Sequence, residues 1–143
     1  MNYEEFLEGL SLRHFHPREI TSQGERLSVY GVKNSLPPEN KWEAIVPVLW
    51  IADLARRELG FSLIITSAYR SPAYNAAVGG ASQSQHLANT ALDLIPGGGT
   101  VDDLYGQLQE MRLGLTFKGG LGLYRSSGFV HVDTRGTNAT WEG

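Results

Sequence analysis

The chain has no cysteine. That excludes disulfides, thiolate nucleophiles and thiolate-bound metals, so a metal site here must be built from imidazole and carboxylate. Positive charge is also scarce: 12 Lys+Arg against 15 Asp+Glu give a formal net charge of -3, with no dense basic run. A nucleic-acid partner is thereby disfavoured, because binders of the phosphate backbone carry a clustered basic footprint. No stretch approaches the roughly 18 consecutive apolar residues of a membrane span. The acidic start, Met1-Asn2-Tyr3-Glu4-Glu5-Phe6, lacks the basic and apolar regions of a signal peptide. The expectation is a product synthesised in the cytoplasm, which reaches any substrate outside it by another route.

What is present suits one domain over residues 1–143. A chain of 15.7 kDa with 41% hydrophobic residues can bury roughly two thirds of the surface its unfolded form exposes, so it needs no staple to fold. A short helix is expected near Glu4 to Leu10, with Pro17 ending regular structure there. Gln23 to Asn34, broken by Gly24 and Gly31, reads as a loop or short hairpin. Trp42, Ile45, Val46, Leu49 and Ala52 recur at helical steps after Pro37-Pro38, with Pro47 marking a kink or the true start and Gly60 the end. Phe61 to Ser67 reads as a buried central strand, Tyr74 to Val78 as a short helix, and Thr90 to Ile95 as an alternating strand. Thr100 and Asp103 open a helix through about Arg112, Leu121 to Tyr124 and Phe129 to Asp133 form a hairpin, and residues 134–143 are a tail in which Trp141 packs back on the body. The fold class expected is α+β, a small antiparallel sheet flanked by helices.

Three polar residues stand out against apolar surroundings. Asp93 lies within Ala91-Leu92-Asp93-Leu94-Ile95, and His131 lies between Val130 and Val132. A carboxylate and an imidazole so placed are costly to bury unless paired or metal-bound. With His86 they make a three-ligand set, and catalytic zinc keeps three protein ligands plus an open position for water. Period-two alternation puts Phe129, His131 and Asp133 on one strand face and Val130 and Val132 on the other. His14 and His16 also alternate, as metal ligands on a strand or as part of a surface segment bracing the domain.

Ser84-x-His86-x-x-Asn89-x-Ala91-x-Asp93 resembles the first metal signature of the zinc D-Ala-D-Ala carboxypeptidases, and Phe129-Val130-His131-Val132-Asp133 resembles their second. Upstream, Ser67-Ala68-Tyr69-Arg70-Ser71-Pro72 is similar to a third segment of that family, which is related to vancomycin-resistance D,D-dipeptidases, phage L,D-endolysins and the hedgehog signalling domain. The resemblance covers about residues 61–136. It implies a hedgehog- and D,D-peptidase-like fold, one Zn2+ per chain held by His86, Asp93 and His131, and Arg70 gripping a substrate carboxylate or carbonyl. A planar guanidinium suits that grip. Ser84 would bind near the substrate terminus or cap its own loop; Tyr69 and Tyr124 are each either a substrate-binding oxyanion donor or a core or rim tyrosine.

Two positions depart from the family pattern. Asn89 replaces a glycine, a mild change because Asn tolerates left-handed backbone angles. The general base, usually an acid three residues before the second zinc histidine or a histidine two before it, is replaced by Gly128 and Phe129. Asp133 is the provisional base, its other role being to hold a ligand histidine's second nitrogen. The expected activity is hydrolysis of a peptide bond in the peptidoglycan stem, as a D,D- or L,D-carboxypeptidase or endopeptidase. The chain would be a monomer acting on the cell wall after release, as a phage lysin does, or as a virion component. The alternative is a zinc-containing wall-binding or structural module with little or no turnover.

Overall fold

The computed structural model describes residues 1–143. Strands β1 (Leu63–Ser67), β2 (Ala91–Pro96), β3 (Gly120–Tyr124), β4 (Phe129–Asp133) and β5 (Ala139–Glu142) form one sheet in the order β1-β2-β4-β3-β5. All neighbours pair antiparallel except β3 and β5, which run parallel. With α1 (Tyr3–Glu8), α2 (Pro17–Thr21), α3 (Val46–Leu59), α4 (Pro72–Ala77) and α5 (Val101–Leu113), the architecture is α+β.

The sheet has two chemically different faces because side chains alternate along each strand. Leu92, Leu94, Leu121, Leu123, Val130 and Val132 are buried on one face, in a core shared with Val48, Leu49 and Ala52 of α3 and Leu104 and Leu108 of α5. Each such side chain contributes about 1.5–3 kcal/mol on burial. A one-residue slip would exchange those apolar groups for Asp93 and His131, so the core fixes the register that builds the polar face.

Helix ends follow local chemistry. Thr100 Oγ1 accepts from Asp103 N at 3.1 Å while Asp103 Oδ2 accepts from Thr100 N at 2.8 Å, the reciprocal cap read from the sequence. Pro47 lies in the first turn of α3, where its missing N–H costs nothing, so it marks the start of that helix and kinks nothing. Gly60, at φ 77°, closes it in the left-handed conformation.

Three expectations need correction. Pro17 does not end regular structure: it occupies the first turn of α2, and His16 caps that helix by accepting from Arg18 N at 3.1 Å. β1 is an edge strand rather than a central one, with Ile64 51% exposed, because an apolar run alone does not say how many faces are covered. The last residues are not a tail but β5, fastened by Arg112 of α5, whose guanidinium donates to Gly119 O, Ala139 O and Thr140 Oγ1 at 3.0, 2.9 and 2.6 Å.

Candidate metal centre

Sheet register brings two of the three suspected ligands together. Asp93 on β2 lies directly opposite His131 on β4, and His131 in turn lies opposite Gly122 on β3. Ser67 pairs with Asp93 from one side and Trp141 with Gly122 from the other, so one row crosses all five strands: Ser67, Asp93, His131, Gly122, Trp141. His86 arrives from the loop between α4 and β2. That loop is held by Arg70 N donating to His86 O at 3.1 Å and Thr90 Oγ1 donating to Gln85 Oε1 at 2.9 Å. Asn89 ends it at φ 62°, the left-handed angle its family counterpart glycine would adopt freely, and its side-chain amide donates to Lys41 O at 2.9 Å.

One donor atom from each of His86, Asp93 and His131 lies within 4.8 Å of the others, and all three residues are buried. His86 Nδ1 donates to Ala68 O at 2.6 Å, which leaves Nε2 with its lone pair toward the cluster. That Nε2 is 3.2 Å from Asp93 Oδ1 but not aligned for a hydrogen bond, so it is buried without a partner. His131 Nδ1 is 3.0 Å from the same Oδ1, while its Nε2 is 2.8 Å from Asp133 Oδ2. Arg70 NH2 stands 3.5 Å from Asp93 Oδ2. The donor set is two imidazole nitrogens and one carboxylate oxygen, each ring tethered at its far side. Zinc fits this set, and an unpartnered, buried lone pair is what a ligand would satisfy.

The charges are strongly coupled. Burial opposes ionisation of Asp93, but the bond to His131 and the closeness of the two imidazoles outweigh it and hold the carboxyl well below the usual range. Asp133 follows the same pattern, with His131, Arg135 and the backbone N–H groups of Gly120 and Arg135 overcoming its desolvation. For His131 burial works against the charged ring, yet bonds to Asp133 and Asp93 leave its pKa above the ordinary value.

The cluster forms the floor of a cleft of about 550 Å³ whose walls include Arg70, Ser84, Tyr124, Phe129, Arg135 and Trp141. Arg70 is braced by Ser67 Oγ at 3.1 Å and Asn75 Oδ1 at 3.3 Å. Ser84 Oγ accepts from His86 N at 3.2 Å. Tyr124 stacks on Phe129 with centroids 4.4 Å apart, and its hydroxyl accepts from Trp141 Nε1 at 2.7 Å. Tyr69 does not line the cleft: it is buried and lines a separate small cavity with Tyr3 and Ile20. Neither His14 nor His16 approaches the cluster. His16 caps α2, and the backbone N–H of His14 donates to Asp53 at 2.8 Å.

Asp133 does not line the cleft. It is fully buried, and its oxygens accept from Gly120 N, Arg135 and His131 Nε2. A carboxylate so enclosed is placed to hold His131, one of the two roles expected of it, and stands away from the cleft where a base would meet substrate. Gly128, at φ 77° in the turn between β3 and β4, could not carry the family's acid there without strain. Arg135, Trp141 and Asn75 were not singled out as site residues from the sequence. The one signal for Trp141 was Gly122, whose added Cβ would lie 2.4 Å from the indole nitrogen.

A search of curated proteins finds no match. A family model described as Peptidase M15, a family of zinc-dependent peptidases, matches residues 13–133, ending on Asp133 and taking in every suspected ligand. With that match spanning most of the 143 residues, the chain belongs to the Peptidase M15 family.

Proposed function

We propose that this chain is a zinc-dependent peptidase that hydrolyses a peptide bond in the peptidoglycan stem, with His86, Asp93 and His131 as the zinc ligands. The observation that carries the reading is the buried, unpartnered Nε2 of His86, turned toward Asp93 by the bond from Nδ1 to Ala68 O. Zinc, when bound, supplies a Lewis acid for the scissile carbonyl and acidifies a water. Arg70 orients the substrate by gripping its carboxylate or carbonyl, with Ser67 and Asn75 holding the guanidinium in place. Ser84 and the Tyr124 hydroxyl, both lining the cleft, donate to substrate oxygens. Tyr124 already accepts from Trp141, so its own proton is free to be given.

A second reading has its own observation. Among the cleft-lining residues Asp93 is the one carboxylate, so no separate acid stands ready as general base, a group that contributes about 10²- to 10⁴-fold. A zinc-containing wall-binding module with little turnover follows from that. Mass spectrometry of wall fragments incubated with the zinc-loaded protein separates the two. Released amino acids indicate a carboxypeptidase, opened cross-links an endopeptidase such as a phage lysin, and His86→Ala must abolish either. Bound zinc with no cleavage across several wall types supports the module, and a protein that takes up no zinc refutes both.

A further inference from the structure

We propose that Arg135 is a positioning residue for the metal centre: acting through Asp133, it fixes the His131 ring and so sets the affinity for zinc. The inference rests on the zinc reading above. Arg135 Nε donates to Asp133 Oδ1 at 3.0 Å and NH2 to Oδ2 at 2.7 Å, the two-pronged geometry that makes guanidinium–carboxylate pairs specific as well as strong. The main-chain N–H groups of Gly120 and Arg135 add bonds to Oδ1 at 2.9 and 3.1 Å. The carboxylate plane is thereby pinned before His131 is considered. Its remaining bond, Oδ2 to His131 Nε2 at 2.8 Å, then allows that ring one orientation, with Nδ1 toward Asp93 and His86.

A second contact runs the same way. The Arg135 guanidinium lies 5.3 Å from the centroid of the Trp141 ring, and that indole lies 5.1 Å from the His131 ring. One cation therefore touches both groups that confine His131, the carboxylate at its Nε2 and the indole at its side. With zinc on a neutral His131, backbone amides alone would leave the fully buried Asp133 charge without a counterion, a costly state. Lysine would offset the charge but grip one oxygen at a time. Arg135 and Trp141 both lie beyond the residues matched by the family model.

Titration of the metal-free protein with zinc, in competition with a chromophoric chelator, tests this on wild type, Arg135→Gln and Arg135→Lys. Circular dichroism and melting of the metal-free forms report folding. Arg135→Gln should raise the zinc Kd several-fold, up to the roughly 10- to 100-fold that follows loss of a ligand's own outer partner, and Arg135→Lys should recover part of that. In zinc-loaded wild type the His131 Nε2–H proton should be visible by NMR and slow to exchange, and it should be lost in Arg135→Gln. A merely structural role would lower melting without moving either readout. A folded Arg135→Gln whose Kd lies within about twofold of wild type overturns the proposal. Should that variant not fold, an unchanged Kd in Arg135→Lys does the same. Wild type that takes up no zinc refutes the zinc reading itself, a result distinct from equal binding by all three.

Discussion

Asp93 and His131 are 38 residues apart in sequence and face each other across β2 and β4, with Asp93 Oδ1 3.0 Å from His131 Nδ1. The same oxygen is 3.2 Å from His86 Nε2, so it lies between both imidazoles. Asp93→Asn keeps the shape and removes the charge. The variant should stay folded and lose zinc by more than the roughly 10- to 100-fold that follows loss of an outer partner. Metal analysis of the dialysed protein checks this, and full zinc occupancy would remove Asp93 from the ligand set.

Asp133→Asn distinguishes the two roles weighed for that residue. A carboxylate that holds His131 should cost about 10- to 100-fold in zinc affinity when replaced. Melting should also fall, because an amide nitrogen would face donors from Gly120 or Arg135. Unchanged zinc affinity with lost turnover would instead support the base assignment.

Stability and metal binding should depend on pH in opposite senses. Against the effect of burial, Asp133 and Asp93 hold the His131 pKa above 6.5. In the metal-free protein, protonated His131 therefore contributes stability that is fully present below pH 6.5 and is lost as pH rises through the raised value. Zinc must displace that proton from Nδ1, so binding strengthens over the same rise. The increase in melting temperature produced by zinc should grow with pH across this window. An increment that shrinks there would contradict the ligand role of His131.

Asn89→Gly restores the family's usual residue and relieves a left-handed φ of 62°. It also deletes the side-chain bonds to Lys41 O at 2.9 Å and Tyr3 Oη at 3.4 Å at a fully buried position. Leaving the half-buried Lys41 carbonyl short of a donor, and a void at a fully buried position, costs about 1–3 kcal/mol, more than the backbone gains. Denaturant titration should show net destabilisation, and a more stable variant would mean that strain dominates at this position.

Gly122→Ala inserts a Cβ 2.4 Å from Trp141 Nε1 and 2.6 Å from Cε2. Overpacking of this kind typically costs about 1–3 kcal/mol. Tryptophan fluorescence should shift as the indole leaves the cleft wall, and the Tyr124 hydroxyl loses its donor. A spectrum and midpoint equal to wild type would show that β5 adjusts freely.

The legible parts of the molecule were those in which local chemistry and burial agree. Leu92-Asp93-Leu94 and Val130-His131-Val132 could satisfy their apolar residues on one face alone, so the polar members had to share the other, and the register followed. Thr100 with Asp103, and Gly60 after a basic turn, marked helix ends for equally local reasons. What stayed hidden depends on distant partners. Ala139-Thr140-Trp141-Glu142 is too short for alternation to declare a strand, and it becomes one through pairing with β3 and through Arg112. Pro17 reads alike as a terminator or a first-turn residue until His16 is seen capping. Whether Asp133 meets substrate or His131 turns on Arg135 and Gly120, which no spacing within Phe129 to Asp133 encodes.

The row from Ser67 through Asp93, His131 and Gly122 to Trp141 also bears on the order of events in folding. Its central pair cannot meet until β2 and β4 have closed a long intervening loop, the kind of non-local contact that forms slowly. An ion held there would bind a site absent from the early, locally ordered chain. Interactions missing from the folding transition state slow unfolding while leaving the folding rate nearly unchanged. The metal would then govern how long the native sheet persists far more than how quickly it is made.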